Sequence, residues 1–111
     1  MNVFVDECVS FKLMPRLTGH TFVHIRDTSL RGTKNGALLR AVAPDYDVFL
    51  TADQDLKHQQ NLKKFSLVFV VLQAVSNATE DLLPLVPATL AVLEEIARGS
   101  AAPDDLYEIS G

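Results

Sequence analysis

Two short apolar runs in this chain end on acids. Residues 2–5 lead into Asp6 and Glu7, and residues 47–51 lead, through Ala52, into Asp53 and Asp55. Carboxylates drawn into one crevice repel each other and resist ionisation unless a cation sits between them. Magnesium and manganese prefer hard oxygen ligands and keep several waters, so a few aspartates plus a phosphate oxygen suit them. Such an ion activates water and steadies the charge that grows on phosphorus during hydrolysis. Asp6, Asp53 and Asp55 are therefore the candidate catalytic and metal-binding residues for phosphodiester cleavage with Mg²⁺ or Mn²⁺, and Glu7 is a possible accessory. Against this stands the capping role of acids after strands, which meet the positive end of the next helix and would alone account for Glu7 and Asp55.

Around these acids lie groups suited to RNA. Lys34, Lys57, Arg26 and Arg31 are expected on loops bordering the same end of a sheet, where they can bind phosphates flanking a scissile bond. Gln59, Gln60 and Asn61 are three successive amides, able to hydrogen-bond bases or to fix a loop internally. His20, His24 and His58 lack the spacing of a zinc site. Cys8 has no neighbouring histidine pattern to activate it and reads as a buried thiol.

The elements that must position these groups alternate. Residues 2–5, 21–25, 47–51 and 67–72 read as strands, the last buried on both faces. A helix is expected over 8–17, weakened by Pro15, and a second over 35–43, with Asn35 as its cap and Pro44 behind it. A polar helical turn follows at 56–62. Beyond the fourth strand, a short turn precedes a helix over about 85–98, closed by Gly99. Strands alternating with helices at this spacing imply an open, mostly parallel α/β sheet. With the second strand on one side of the first and the third on the other, Asp6, Glu7, Asp53 and Asp55 meet at a topological switch point, where such folds bind ligands.

Composition sets the outer limits. The chain has 111 residues, 48% hydrophobic and 22% charged, enough for one core without disulfides or a structural metal. A single cysteine and no leader-like start favour the cytoplasm, and no apolar run approaches the length of a membrane span. The net charge of -4 is uneven: residues 1–65 carry nine Lys and Arg against seven Asp and Glu, and residues 66–111 carry one against seven. Coating of nucleic acid by bulk charge is thereby disfavoured, while a local basic rim can still hold a few phosphates. Residues 1–99 are expected to form the domain, with 100–111 an acidic tail or a weak edge strand around Leu106, Tyr107 and Ile109.

Four segments together resemble a known family: V-F-V-D-E at 3–7, G-x-K-N-G-x-L-L at 32–39, D-V-F-L-T-A-D-Q-D-L at 47–56 and Q-Q-N-L at 59–62. Their order and spacing over roughly residues 1–98 resemble the small PIN-like proteins related to VapC toxins. The resemblance implies a three-layer α/β/α sandwich, metal-dependent endoribonuclease activity and the toxin role of a bacterial toxin–antitoxin pair. It also implies a small antitoxin partner and a homodimer. Asp6 matches the family's acid after the first strand, and Asp53, with Asp55 nearby, its acid in the T-x-D segment. Where the family commonly has an acid at the start of the second helix, this chain has Asn35, Gly36 and Ala37. The Asn35 amide can hold a metal or its water only weakly. The departure opens an alternative, a catalytically inactive module of the same fold that binds protein or RNA. A phospho-acceptor receiver domain also places acids after its first and third strands, but it needs a lysine after a fifth strand, and none lies beyond Lys64.

Overall fold

Five apolar segments pair side by side, each parallel to its neighbours. The computed structural model describes residues 1–99, 101 and 105–111, and for Asn35 the backbone. Its strands are β1 (Asn2–Val5), β2 (Thr21–His24), β3 (Val48–Thr51), β4 (Val68–Gln73) and β5 (Leu106–Ser110). They lie in the order β2-β1-β3-β4-β5. The chain moves outward from β1 to β2, then crosses back over β1 to β3. The carboxyl ends of β1 and β3 therefore flank the point where the winding reverses, and there a crevice must open.

Alternation along the strands supplies two apolar faces, and helices cover both. In register across the sheet, Phe4 faces Phe49 and Phe49 faces Phe69. The Phe4 and Phe49 rings stack with centroids 5.8 Å apart, and the Phe69 ring leans against Phe49 at 57° with centroids 6.1 Å apart. On this face lie Leu38, Leu39 and Val42 of α1 (Asn35–Val42) and Leu56 of α2 (Leu56–Gln59). The opposite face presents Val3, Val5, Val48, Leu50 and Val70. It packs against Leu13 of a 3₁₀ helix (Phe11–Arg16) and against Leu93 and Ile96 of α4 (Val86–Ala97), which follows the one-turn α3 (Thr79–Leu82). The architecture is a three-layer α/β/α sandwich, and burial of each of these rings stabilises it by about 2–3 kcal/mol. No helix among the described residues is long and apolar enough to cross a membrane.

The differences from expectation have local causes. Over residues 8–17 the chain forms only the 3₁₀ helix. Pro15 lies inside it, and its missing N–H and ring rule out continued α-helical bonding. The Ser10 side chain caps its start by accepting from the Lys12 N–H. The polar helix expected over 56–62 stops at Gln59, because the Asn61 side chain accepts from the Lys63 N–H and starts a fresh 3₁₀ turn, Leu62–Lys64. Gly99, at φ 85°, closes α4 as expected, donating its N–H to Ile96 O at 3.0 Å. Of the two expectations for the last residues, an acidic tail or an edge strand, Leu106–Ser110 follows the second: it is β5, paired with Phe69–Gln73 of β4.

Candidate active site

The Asp6 carboxylate leaves the sheet beside β3, because its backbone N–H continues the ladder to Leu50 O at 2.9 Å. Three protein donors hold that carboxylate. The Glu7 N–H reaches Oδ1 at 2.9 Å, and the Thr51 hydroxyl and the Cys8 thiol reach Oδ2 at 3.0 Å and 3.4 Å. Thr51 ends β3 and is wholly buried. Its Oγ1 also accepts the Asp53 N–H at 3.1 Å. One hydroxyl thus ties the acid after β1 to the acid-bearing segment after β3. Asp53 in turn accepts the Asp55 N–H on Oδ1 at 3.0 Å, a tight local turn that sets the entry into α2.

These ties open onto a pocket of about 570 Å³ lined by Asp6, Glu7, Lys34, Asp53 and Asp55, a size in the range of small-ligand sites. Four carboxylates therefore border one concavity. Its only lysine, Lys34, puts Nζ 3.7 Å from Glu7 Oε1 with both side chains mostly exposed. An exposed pair at that distance is weak and gives way readily to a stronger anion. Cys8, Gln54 and Asn77 also border the pocket. Burial pushes the Cys8 thiol up to about 11, with the Asp6 charge adding to the rise and hydrogen bonds from Thr51 and the Ala52 N–H partly opposing it. Near neutral pH Cys8 is a thiol, and it serves Asp6 as a donor.

The fit to a divalent ion is partial. The donors have the right chemistry, hard anionic oxygen. Among the described residues, however, no three of the His, Cys, Asp and Glu side chains stand where one ion could take them all. Asp6, Asp53 and Asp55 share the pocket without forming a ready three-carboxylate clasp. The Asn35 side chain lies outside what is described.

The other expected contacts are spread more widely. Lys34 borders the pocket, but Lys57, Gln59, Gln60 and Asn61 do not. Lys57 Nζ instead meets Glu108 Oε2 of β5 at 2.9 Å, and that oxygen also accepts from Gln73 Nε2 at 2.6 Å. Asn61 is occupied in capping its own turn. Gln60 Oε1 lies against Gly36, where a Cβ would approach it to 3.2 Å. Thr51 and Cys8 were not among the expected site residues. The signal for Thr51 was a hydroxyl two residues before an acid at a strand end, a spacing that lets the hydroxyl bond the acid's own N–H.

Comparison with known proteins yields one finding. The model of a family described as PIN like domain matches residues 1–73, which include every acid of the pocket. No curated protein and no solved structure matches the chain.

Proposed function

Because the chain belongs to the family of PIN-like domains, we propose that its acidic pocket hydrolyses phosphodiester bonds in RNA with the help of Mg²⁺ or Mn²⁺. The observation that carries this reading is the meeting of four carboxylates and Lys34 in one pocket at the carboxyl ends of β1 and β3. Asp6 and Asp53, tied through Thr51, are the residues that would hold the ion, with waters and a substrate oxygen completing the shell, as is usual for magnesium. Asp55 and Glu7 border the same space and serve as outer acids. When bound, the ion supplies an activated water and neutralises charge at phosphorus.

The chain's own residues do the rest. The donors around Asp6 fix its orientation at the edge of the pocket. Lys34 exchanges Glu7 for a phosphate as the strand enters, which holds the backbone beside the acids. The test is cleavage of a panel of single-stranded RNAs with Mn²⁺ present. Cleavage that stops with EDTA and with Asp6→Asn supports the proposal, and no cleavage of any member by the wild type refutes it. The proposal extends to a cytoplasmic toxin that acts as a homodimer and is silenced by a small antitoxin covering the acidic pocket. Growth arrest on induction, relieved by co-expressing the product of a neighbouring gene, is the outcome expected for that role.

One observation favours a second reading. The start of α1 carries no acid, and the described residues form no three-ligand group, as expected of a module that keeps the fold and binds RNA or protein without cutting. Calorimetry separates the two readings. A binding heat with Mn²⁺ that disappears in Asp6→Asn belongs to the hydrolase, and silence at millimolar Mn²⁺ belongs to the module.

A further inference from the structure

Beside the acidic pocket, and outside it, lies an arginine already held in place. Phe11 is 36% exposed, unusual for a large hydrophobic residue in this chain. The Arg26 guanidinium lies over its ring, with Cζ 4.2 Å from the centroid. The ring is braced edge-on against His24, centroids 5.2 Å apart at 80°. His24 is buried and bonded at both nitrogens: Nε2–H donates to Val9 O at 2.8 Å, and Nδ1 accepts the Arg26 N–H at 3.1 Å. A fixed histidine thus supports an aromatic ring, and the ring supports a cation.

Topology puts this stack at the same end of the sheet as the acids. His24 pairs in register with Val5, the residue before Asp6, and neighbouring strands lie about 5 Å apart. The Asp6 carbonyl accepts the Val9 N–H at 3.1 Å, and the Val9 carbonyl holds His24, so two hydrogen bonds link the acid to the stack. Among the described residues Arg26 has no carboxylate partner, while Lys34 and Lys57 each have one. A guanidinium held over a ring by its central carbon still has N–H donors to offer an anion, in the fork geometry that matches a phosphate. An exposed arginine normally loses rotamer freedom when it binds an anion, and Phe11 has already removed part of that freedom.

We infer that Arg26, held over the Phe11 ring, forms a phosphate subsite that grips the RNA strand next to the acidic pocket. This rests on the RNA-directed reading above. Phe11 acts through Arg26 and is a positioning residue.

The test reads binding, not cleavage. A short fluorescein-labelled single-stranded RNA is titrated with the whole chain by fluorescence anisotropy, with EDTA present so that nothing is cut, over a range of salt. Arg26→Ala weakens binding roughly tenfold and reduces the slope of log K against log salt by about 0.7, the value for one phosphate contact on a single strand. Arg26→Lys recovers the slope but not the affinity, because it keeps the charge and loses the fork. Phe11→Ala weakens binding roughly two- to fivefold with little change in slope. The double variant binds no worse than Arg26→Ala, as required if Phe11 works only through the arginine. Arg98→Ala is the control and leaves binding unchanged: it closes α4, whose last residues lie beside Met1 at the amino end of β1.

Equal affinity and equal salt slope in the wild type and Arg26→Ala overturn the subsite, as does a wild type that does not bind RNA. A wild type whose binding depends on Arg26 but which never cleaves RNA with Mn²⁺ upholds the subsite and removes the hydrolase reading.

Discussion

Replacing Thr51 by valine removes one hydroxyl and almost no volume, so its effect isolates the tie between the two acid-bearing segments. Thr51 is wholly buried and its Oγ1 makes contacts at 3.0 Å to Asp6 Oδ2, 3.1 Å from the Asp53 N–H and 3.1 Å to Cys8 Sγ. A hydrogen bond to a charged group is worth about 1.5–3 kcal/mol, and a buried N–H left without an acceptor costs about 1–3 kcal/mol. Asp6 is only half-buried and water replaces part of its lost donor, so the net expectation is a destabilisation of about 2–3 kcal/mol. In urea that appears as a fall of roughly 1–2 M in the midpoint with an unchanged slope. Thr51→Ser keeps the hydroxyl and should recover most of the loss. RNA cleavage by Thr51→Val, measured well below its melting temperature, should fall in kcat with KM little altered, because Asp6 and Asp53 lose their common anchor while Lys34 and Arg26 remain. A change below about 0.5 kcal/mol with unaltered kcat would refute the argument that this hydroxyl organises the site.

Other outcomes follow from the same geometry. Cys8 titrates near 11 in the folded chain against an ordinary 9.0. The folded state keeps a proton that the unfolded state releases, so this stability is fully present below pH 9 and is lost as pH rises through about 11. The loss is at most about 3 kcal/mol and is read as the pH-dependent difference from Cys8→Ala in urea titrations. Iodoacetamide should alkylate Cys8 at pH 8 roughly a hundred times more slowly in the folded chain than in urea, and equal rates would contradict its assigned environment. Phe49→Ala opens the space between the Phe4 and Phe69 rings and should cost about 3–5 kcal/mol by denaturant titration. Lys57→Met removes a half-exposed ion pair with Glu108 and should change stability by less than about 1 kcal/mol, leaving RNA affinity unchanged because Lys57 does not line the pocket.

Much of the fold could be read from the chain because its strands are short apolar runs that stop on acids or turns. Strand alternation implied a parallel sheet, and the switch point between β1 and β3 followed on the condition that β2 and β3 lie on opposite sides of β1, which is the observed order. Local pattern failed where partners came from elsewhere. The apolar spacing of Val9, Leu13 and Leu17 suggested an α-helix, yet Pro15 decided the outcome. The pairing of Lys57 with Glu108, 51 residues away on β5, was one such contact. Asp6 and Asp53 were visible as candidates because an acid immediately beyond a buried strand is costly without a purpose. Thr51 was hidden because threonine is also an ordinary strand former, and only its position opposite Asp6 shows the hydroxyl at work. Arg26 was one of four loop cations of similar appearance. Phe11, from a different element, sets it apart.

In the proposed hydrolase, Asp6 and Asp53 together hold a divalent ion. Crystals grown with Mn²⁺ and measured at the manganese absorption edge test it most directly. One anomalous peak is expected within ligand distance of both carboxylates, lost in Asp53→Asn. Crystals of the intact chain with no peak between those side chains, at manganese concentrations that support known sites of this kind, would contradict it.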